Sequence, residues 1–99
     1  MDIIKIEIII SNTFLQPLIK LLEEASVQGY TAIEIVRGKG IKQGEHLSEG
    51  LLPTSRRTLL FTLTTAKNSK QIMKKVQPFL DHRGGILMMH PIAYASGLN

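Results

Sequence analysis

Ile4, Ile6, Ile8 and Ile10 recur at every second position with Lys5 and Glu7 between them, so residues 3–10 read as a strand with one buried face. Ser11, Asn12 and Thr13 follow as N-cap candidates. Phe14, Leu18, Leu21, Leu22 and Ala25 then recur at three- and four-residue steps, Pro17 suits a first turn, and Gly29 is placed to end the helix begun near Phe14. From Thr31 to Val36 β-branched and apolar residues return around Glu34, giving a second strand.

Residues 37–57 hold Gly38, Gly40, Gly44, Gly50 and Pro53 and follow neither period. A connection of about twenty structureless residues in so short a chain reads as a functional loop. Thr58–Thr65 is a third strand, with Leu59, Phe61 and Leu63 on one face and threonines on the other. Asn68 or Ser69 caps a second helix, in which Ile72, Met73, Val76 and Phe79 or Leu80 form the apolar stripe while Lys70, Lys74 and Lys75 stay wet. Pro78 predicts a frayed or bent last turn. After Asp81, His82, Arg83, Gly84 and Gly85, the run Ile86–Met89 is a fourth strand, whose regular pairing ends at Pro91.

The order β-α-β, long loop, β-α-β predicts an α+β fold, the ferredoxin-like βαββαβ arrangement, with an antiparallel four-stranded sheet and both helices on one face. Residues 1–99 form one such domain, because a chain this short cannot support two cores. Ile3, Ile9 and one face of each remaining strand are then left as an apolar patch, which a solitary soluble chain rarely tolerates. Self-association through that face is the expected remedy.

Hydrophobic residues at 43% and charged residues at 20% exclude a disordered tract. The absence of cysteine excludes a disulfide framework, an iron–sulfur site and a cysteine zinc site, and fits a reducing compartment, so a cytoplasmic location is expected. The apolar stretch Ile3–Ile10 is too short and too charged for membrane insertion and has no basic leader. Of the net charge of +4, most sits between positions 37 and 57, where Arg37, Lys39, Lys42, Arg56 and Arg57 face only Glu45 and Glu49. That concentration suits an anion site better than a nucleic-acid surface. An RNA-reading sheet also wants stacking aromatics, and the strands offer little besides Phe61 and Tyr30, so no nucleic-acid partner is expected.

Gly29, Tyr30 and Thr31, then a strand, then Gly38, Lys39 and Gly40, together resemble the PII superfamily of trimeric nitrogen and carbon signalling proteins. The run Gly38–Gly50 (GKGIKQGEHLSEG) resembles the start of that family's T-loop, here about residues 38–56 between the second and third strands, and Phe79–Ile86 (FLDHRGGI) stands where the family has its B-loop. The resemblance implies a homotrimer whose three clefts hold an adenine nucleotide between the T-loop base of one subunit and the B-loop of the next. Gly29, Tyr30 and Thr31 would line the adenine pocket, with Thr31 or nearby backbone reading the base. Gly38, Lys39 and Gly40 would form the T-loop base, the glycines letting backbone approach the ligand, and Arg57, Arg83, Gly84 and Gly85 would face the phosphates.

Three departures separate the chain from typical nitrogen-regulatory members. The B-loop lysine is missing, since Ile86 follows Gly85; Phe61 stands where a carboxylate is usual; and the basic C-terminal arm is replaced by Ala95, Ser96 and Gly97. The sequence is in these respects similar to a shorter PII-like branch that accompanies bicarbonate transporters, carboxysomes or metal-efflux systems. That likeness implies AMP, ADP or cyclic AMP in preference to ATP, with a membrane transporter as the partner of the T-loop.

Plainer readings stand beside these. Gly38 and Gly40 also suit an ordinary strand exit, and Lys39, Lys42, Arg56 and Arg57 a solvated loop. His46, His82 and His90 raise the alternative of a trimeric metal-responsive protein, although they form no His-x-His or His-x-x-x-His pair and only Glu45 beside His46 is a local chelating pair. Met73, Met88 and Met89 read as core filler. No nucleophile motif or framed carboxylate pair is present, so catalysis is not expected.

Overall fold

The protein is described by a computed structural model covering residues 2–40, 44–47 and 56–98. Its elements are β1 (Ile3–Ser11), a short 3-10 turn (Asn12–Phe14), α1 (Leu15–Glu24), β2 (Thr31–Ile35), β3 (Arg37–Gly40), β4 (Gly44–Leu47), β5 (Arg57–Thr65), α2 (Ala66–Asp81) and β6 (Ile86–Ile92). The four longer-range strands form one antiparallel sheet in the order β2-β5-β1-β6, which is the ferredoxin-like arrangement expected from the sequence.

Both helices cover one face. Ile6, Ile8 and Ile10 of β1 and Leu60 of β5 meet Leu18 and Leu22 of α1 and Ile72, Val76 and Leu80 of α2 in a single buried cluster. On β5 the face turned to the helices is the threonine-bearing one, Thr58, Leu60 and Thr62, while Leu59, Phe61 and Leu63 lie on the open face. Hydroxyls are tolerated in that core because each finds an acceptor: Thr58 Oγ1 donates to Asn12 Oδ1 at 2.5 Å, and Thr62 Oγ1 to the Gly29 carbonyl at 2.5 Å.

Several boundaries differ from the sequence reading, each for a local reason. α1 ends at Glu24 and not at Gly29. Ser26 takes the left-handed conformation (φ 70°), its N–H reaches the Glu23 carbonyl at 3.1 Å, and the Val27 N–H reaches Leu22 at 3.0 Å, which together make a Schellman motif. α2 starts at Ala66, before Asn68 or Ser69, because the Thr65 hydroxyl already accepts the Asn68 N–H at 3.2 Å. Pro78 stays inside α2, which runs on to Asp81. Pro91 likewise stays in register opposite Ile4, because β6 is an edge strand whose outer side has no ladder partner among the described residues. At Ser11 the expected cap holds, its side chain accepting the Thr13 N–H at 3.3 Å.

The segment expected to be structureless contains a hairpin. β3 and β4 pair antiparallel as a separate two-stranded sheet, with Gly38 opposite His46 and Lys39 opposite Glu45. Neither strand alternates apolar and polar residues, so the period-two signal is absent. Of the predicted T-loop, residues 41–43 and 48–55, Lys42 among them, lie outside the described residues, as do the side chains of Lys39, Glu45 and His46.

Candidate functional site

The chain between α1 and β2 builds one wall of a cleft. Once the Schellman turn has reversed α1, residues 27–30 run out without regular structure, and the hydroxyl of buried Thr62 holds the Gly29 carbonyl against the sheet. The cleft beside this segment has a volume of about 540 Å³ and is lined by Gly29, Tyr30 and Thr31, by Phe61–Thr65 of β5, and by Gly97 and Leu98. Tyr30 is 44% exposed at its edge. Gly29 has no left-handed φ, and a Cβ built on it meets no heavy atom within 4 Å. Neither backbone conformation nor internal packing therefore demands glycine there.

Phe61 is held mid-sheet, opposite Thr31 on one side and Glu7 on the other, with Lys5 Nζ 4.6 Å from its ring centroid. A second group gathers elsewhere. Arg57 pairs with Ser11 and Ile35, four residues along β5 from Phe61 and hence about 13 Å away. Gly85 packs against Leu80 and the Ile9 carbonyl, so closely that a Cβ would stand 2.6 Å from Leu80 Cδ2, and Gly84 adopts φ 72°. Both glycines have structural reasons to be glycine. Arg83 closes α2: its guanidinium donates to the Phe79 carbonyl at 2.8 Å and lies 4.0 Å from the Phe79 ring centroid and 5.6 Å from that of Phe14. Of the other loop cations, Arg56 lies 3.7 Å from Glu34.

One chain thus brings Gly29, Tyr30 and Thr31 together but keeps them apart from the rest. Gly38, Lys39 and Gly40 follow the other end of β2, and Arg83, Gly84 and Gly85 precede β6 on the opposite edge of the sheet, about 14 Å across three strand spacings. The histidines do not converge either. His82 is the C-terminal cap of α2, and His90 sits mid-strand in β6 bound to Glu7. Among the described residues no group of three or more His, Cys, Asp or Glu side chains could hold a metal ion.

Sequence reasoning missed a polar cluster on the open face. Glu7 Oε1 lies 2.7 Å from His90 Nε2 and Glu7 Oε2 lies 3.2 Å from Lys5 Nζ. The His90 hydrogen bond first, and then Lys5, hold the Glu7 carboxyl below its ordinary value of 4.5. The alternation of Lys5 and Glu7 was visible in the sequence, but His90 joins them only through the pairing of β6 with β1.

Comparison with known proteins places this geometry in a class. The family of nitrogen regulatory protein P-II matches residues 3–95, and the chain belongs to that family. Among solved structures it is similar to CPII, a nitrogen regulatory PII-like protein from Thiomonas intermedia K12: a form bound to ADP, AMP and bicarbonate superposes with a TM-score of 0.82 at 22% identity, over 93% of this chain and 87% of that one. The same protein bound to ADP and bicarbonate gives a TM-score of 0.77 at 26% identity, with 93% and 87% covered. The GlnK–ATP complex of B. subtilis gives 0.66 at 14% identity, with 93% and 84% covered. No curated protein sequence matches. Among the described residues, no helix is long and apolar enough to cross a membrane.

Proposed function

We propose that the chain is a non-enzymatic PII-like regulatory subunit of the cytoplasm. It works as a homotrimer, binds an adenine nucleotide in the clefts between subunits, and signals through residues 38–56 to a partner such as a membrane transporter. The observation that carries this reading is Gly29: a glycine that its own fold does not require lines an open cleft, beside Tyr30 and Thr31, in a family whose relative CPII is seen with ADP and AMP. The separation of this cleft from Arg83, Gly84 and Gly85 supports completion of the site by a second subunit, because in one chain the two groups lie toward opposite edges of the sheet.

AMP, ADP or cyclic AMP fits better than ATP. No lysine follows Gly85, and the Arg83 guanidinium is already engaged by the Phe79 carbonyl. The aromatic Phe61 ring offers the base a stacking face where typical members have a carboxylate. Occupancy biases the segment 38–56 only as far as the nucleotide binds one of its conformations better than another.

Isothermal titration with AMP, ADP, ATP and cyclic AMP, with and without bicarbonate, tests the reading. Saturable heat with AMP or ADP, stronger than with ATP, is expected; silence from all four at millimolar ligand discards it.

A further inference from the structure

The sheet face turned away from the helices has apolar residues on either side of a charged middle, with Arg57 at one far end. Ile3, Ile9, Leu59 and Leu63 are half-buried there, and Ile33 and Ile86 on the two edge strands are 51% and 47% exposed. Between them Glu7 bridges two cations or donors at once, accepting from His90 at 2.7 Å and meeting Lys5 at 3.2 Å, while Lys5 lies against Phe61. The Glu7 side chain is already only 17% exposed within one chain, against 45% for His90.

The charge count on this face is simple. Lys5 and Glu7 come from β1 and cancel. β2 presents Thr31, Ile33 and Ile35, and β6 presents Ile86, Met88 and Ile92 beside His90, none of them ionisable. Arg57 of β5 lies at the far end, opposite Ser11, about 13 Å along the strand from the Glu7 pair partner Phe61. With His90 neutral and donating its Nε2–H to Glu7, the cluster is closed and carries no net charge, which is the state that can be covered at least cost. A proton added at Nδ1 leaves the cluster at +1, with a new N–H donor to satisfy.

The geometry points to a proton-sensitive self-association surface: the Lys5–Glu7–His90 cluster is covered by further copies of this chain, and protonation of His90 weakens that assembly. The inference rests on the trimeric reading above. Equivalent positions of identical subunits acquire the same charge together, so repulsion and desolvation add, and like charges juxtaposed in an interface oppose association. Glu7 stays ionised through the histidine range, because its neighbours hold its carboxyl below 4.5, so the change in charge is His90's alone.

Sedimentation or light scattering on the full chain at about pH 8 and about pH 5.5, on either side of the histidine range, decides it. The concentration at which the assembly dissociates should rise about tenfold or more on acidification, with far-ultraviolet circular dichroism unchanged. His90→Gln, which keeps a neutral N–H donor for Glu7, should assemble alike at both values. Glu7→Gln, which leaves Lys5 uncompensated, should assemble weakly already at about pH 8. A wild-type assembly indifferent to pH, or a His90→Gln variant with the wild-type pH dependence, overturns the proposal. A solitary wild-type chain at both values overturns the trimeric reading itself.

Discussion

Gly84 holds a φ of 72° and Gly85 packs against Leu80, whereas Gly29 does neither, so the three glycines answer differently to the same substitution. Gly85→Ala drives a Cβ to 2.6 Å from Leu80 Cδ2 and overpacks a buried contact, a cost of about 1–3 kcal/mol. Gly29→Ala meets nothing within 4 Å. At a position whose conformation alanine can adopt, the change restricts the unfolded chain and stabilises the fold by about 0.4–1 kcal/mol. Gly29 nevertheless lines the cleft, and with the base packed against it as proposed, the added methyl should lower AMP affinity by about tenfold, the equivalent of about 1.4 kcal/mol. Thermal melting together with titration checks this. A Gly29→Ala protein that melts no lower than wild type and binds AMP undiminished would show that the base does not sit against Gly29.

At the scale of elements, the end of α1 depends on Ser26 in a conformation that glycine adopts freely and other residues do not. Ser26→Gly should relieve that strain while keeping both Schellman hydrogen bonds, raising stability by about 0.5–1 kcal/mol in a melting or denaturant experiment. A loss of stability would mean that the serine side chain contributes more than its strained backbone costs. The same helix end shows what was legible in the chain and what was not. β1 and the apolar stripes of both helices stand out, because period two over Ile4–Ile10 and helical spacing over Phe14–Ala25 are each repeated several times. Gly29 reads as the helix stop because glycine is the usual left-handed residue, and nothing local announces that Ser26 takes that role. The β3–β4 hairpin is not announced for a related reason: its strands, RGKG and GEHL, do not alternate apolar and polar residues and so carry no period-two pattern. At the site, Gly29–Thr31 could be singled out by likeness to a family. The Lys5–Glu7–His90 cluster could not, because the contact joins residues 83 positions apart and exists only once β6 is in register with β1.

For the whole molecule, the decisive quantity is what covers the open sheet face. Leu59 lies on it, opposite Ile9 in β1 and Ile33 in β2, and it points away from the cluster that α1 and α2 bury. Leu59→Glu therefore places a carboxylate in the surface proposed to meet other copies while leaving the helix-facing core untouched. Arg57 shares this face two residues along β5, but a carboxylate set among Ile9 and Ile33 is still desolvated when other copies cover it, and even a paired charge is costly to bury, which weakens an assembly held by standard interfaces. The expected product is a folded single chain at micromolar concentration, with wild-type circular dichroism and a cooperative melt. It should also lose AMP, although Gly29, Tyr30, Thr31, Arg57 and Gly85 are all unaltered, because the residues before β2 and those before β6 lie toward opposite edges of one sheet and the proposed site needs a second subunit to bring them together. Light scattering followed by titration reads both effects on the same sample. A Leu59→Glu chain that is solitary yet binds AMP as tightly as the wild type would mean that a single sheet edge suffices, and the cleft between subunits would then have no part in recognition.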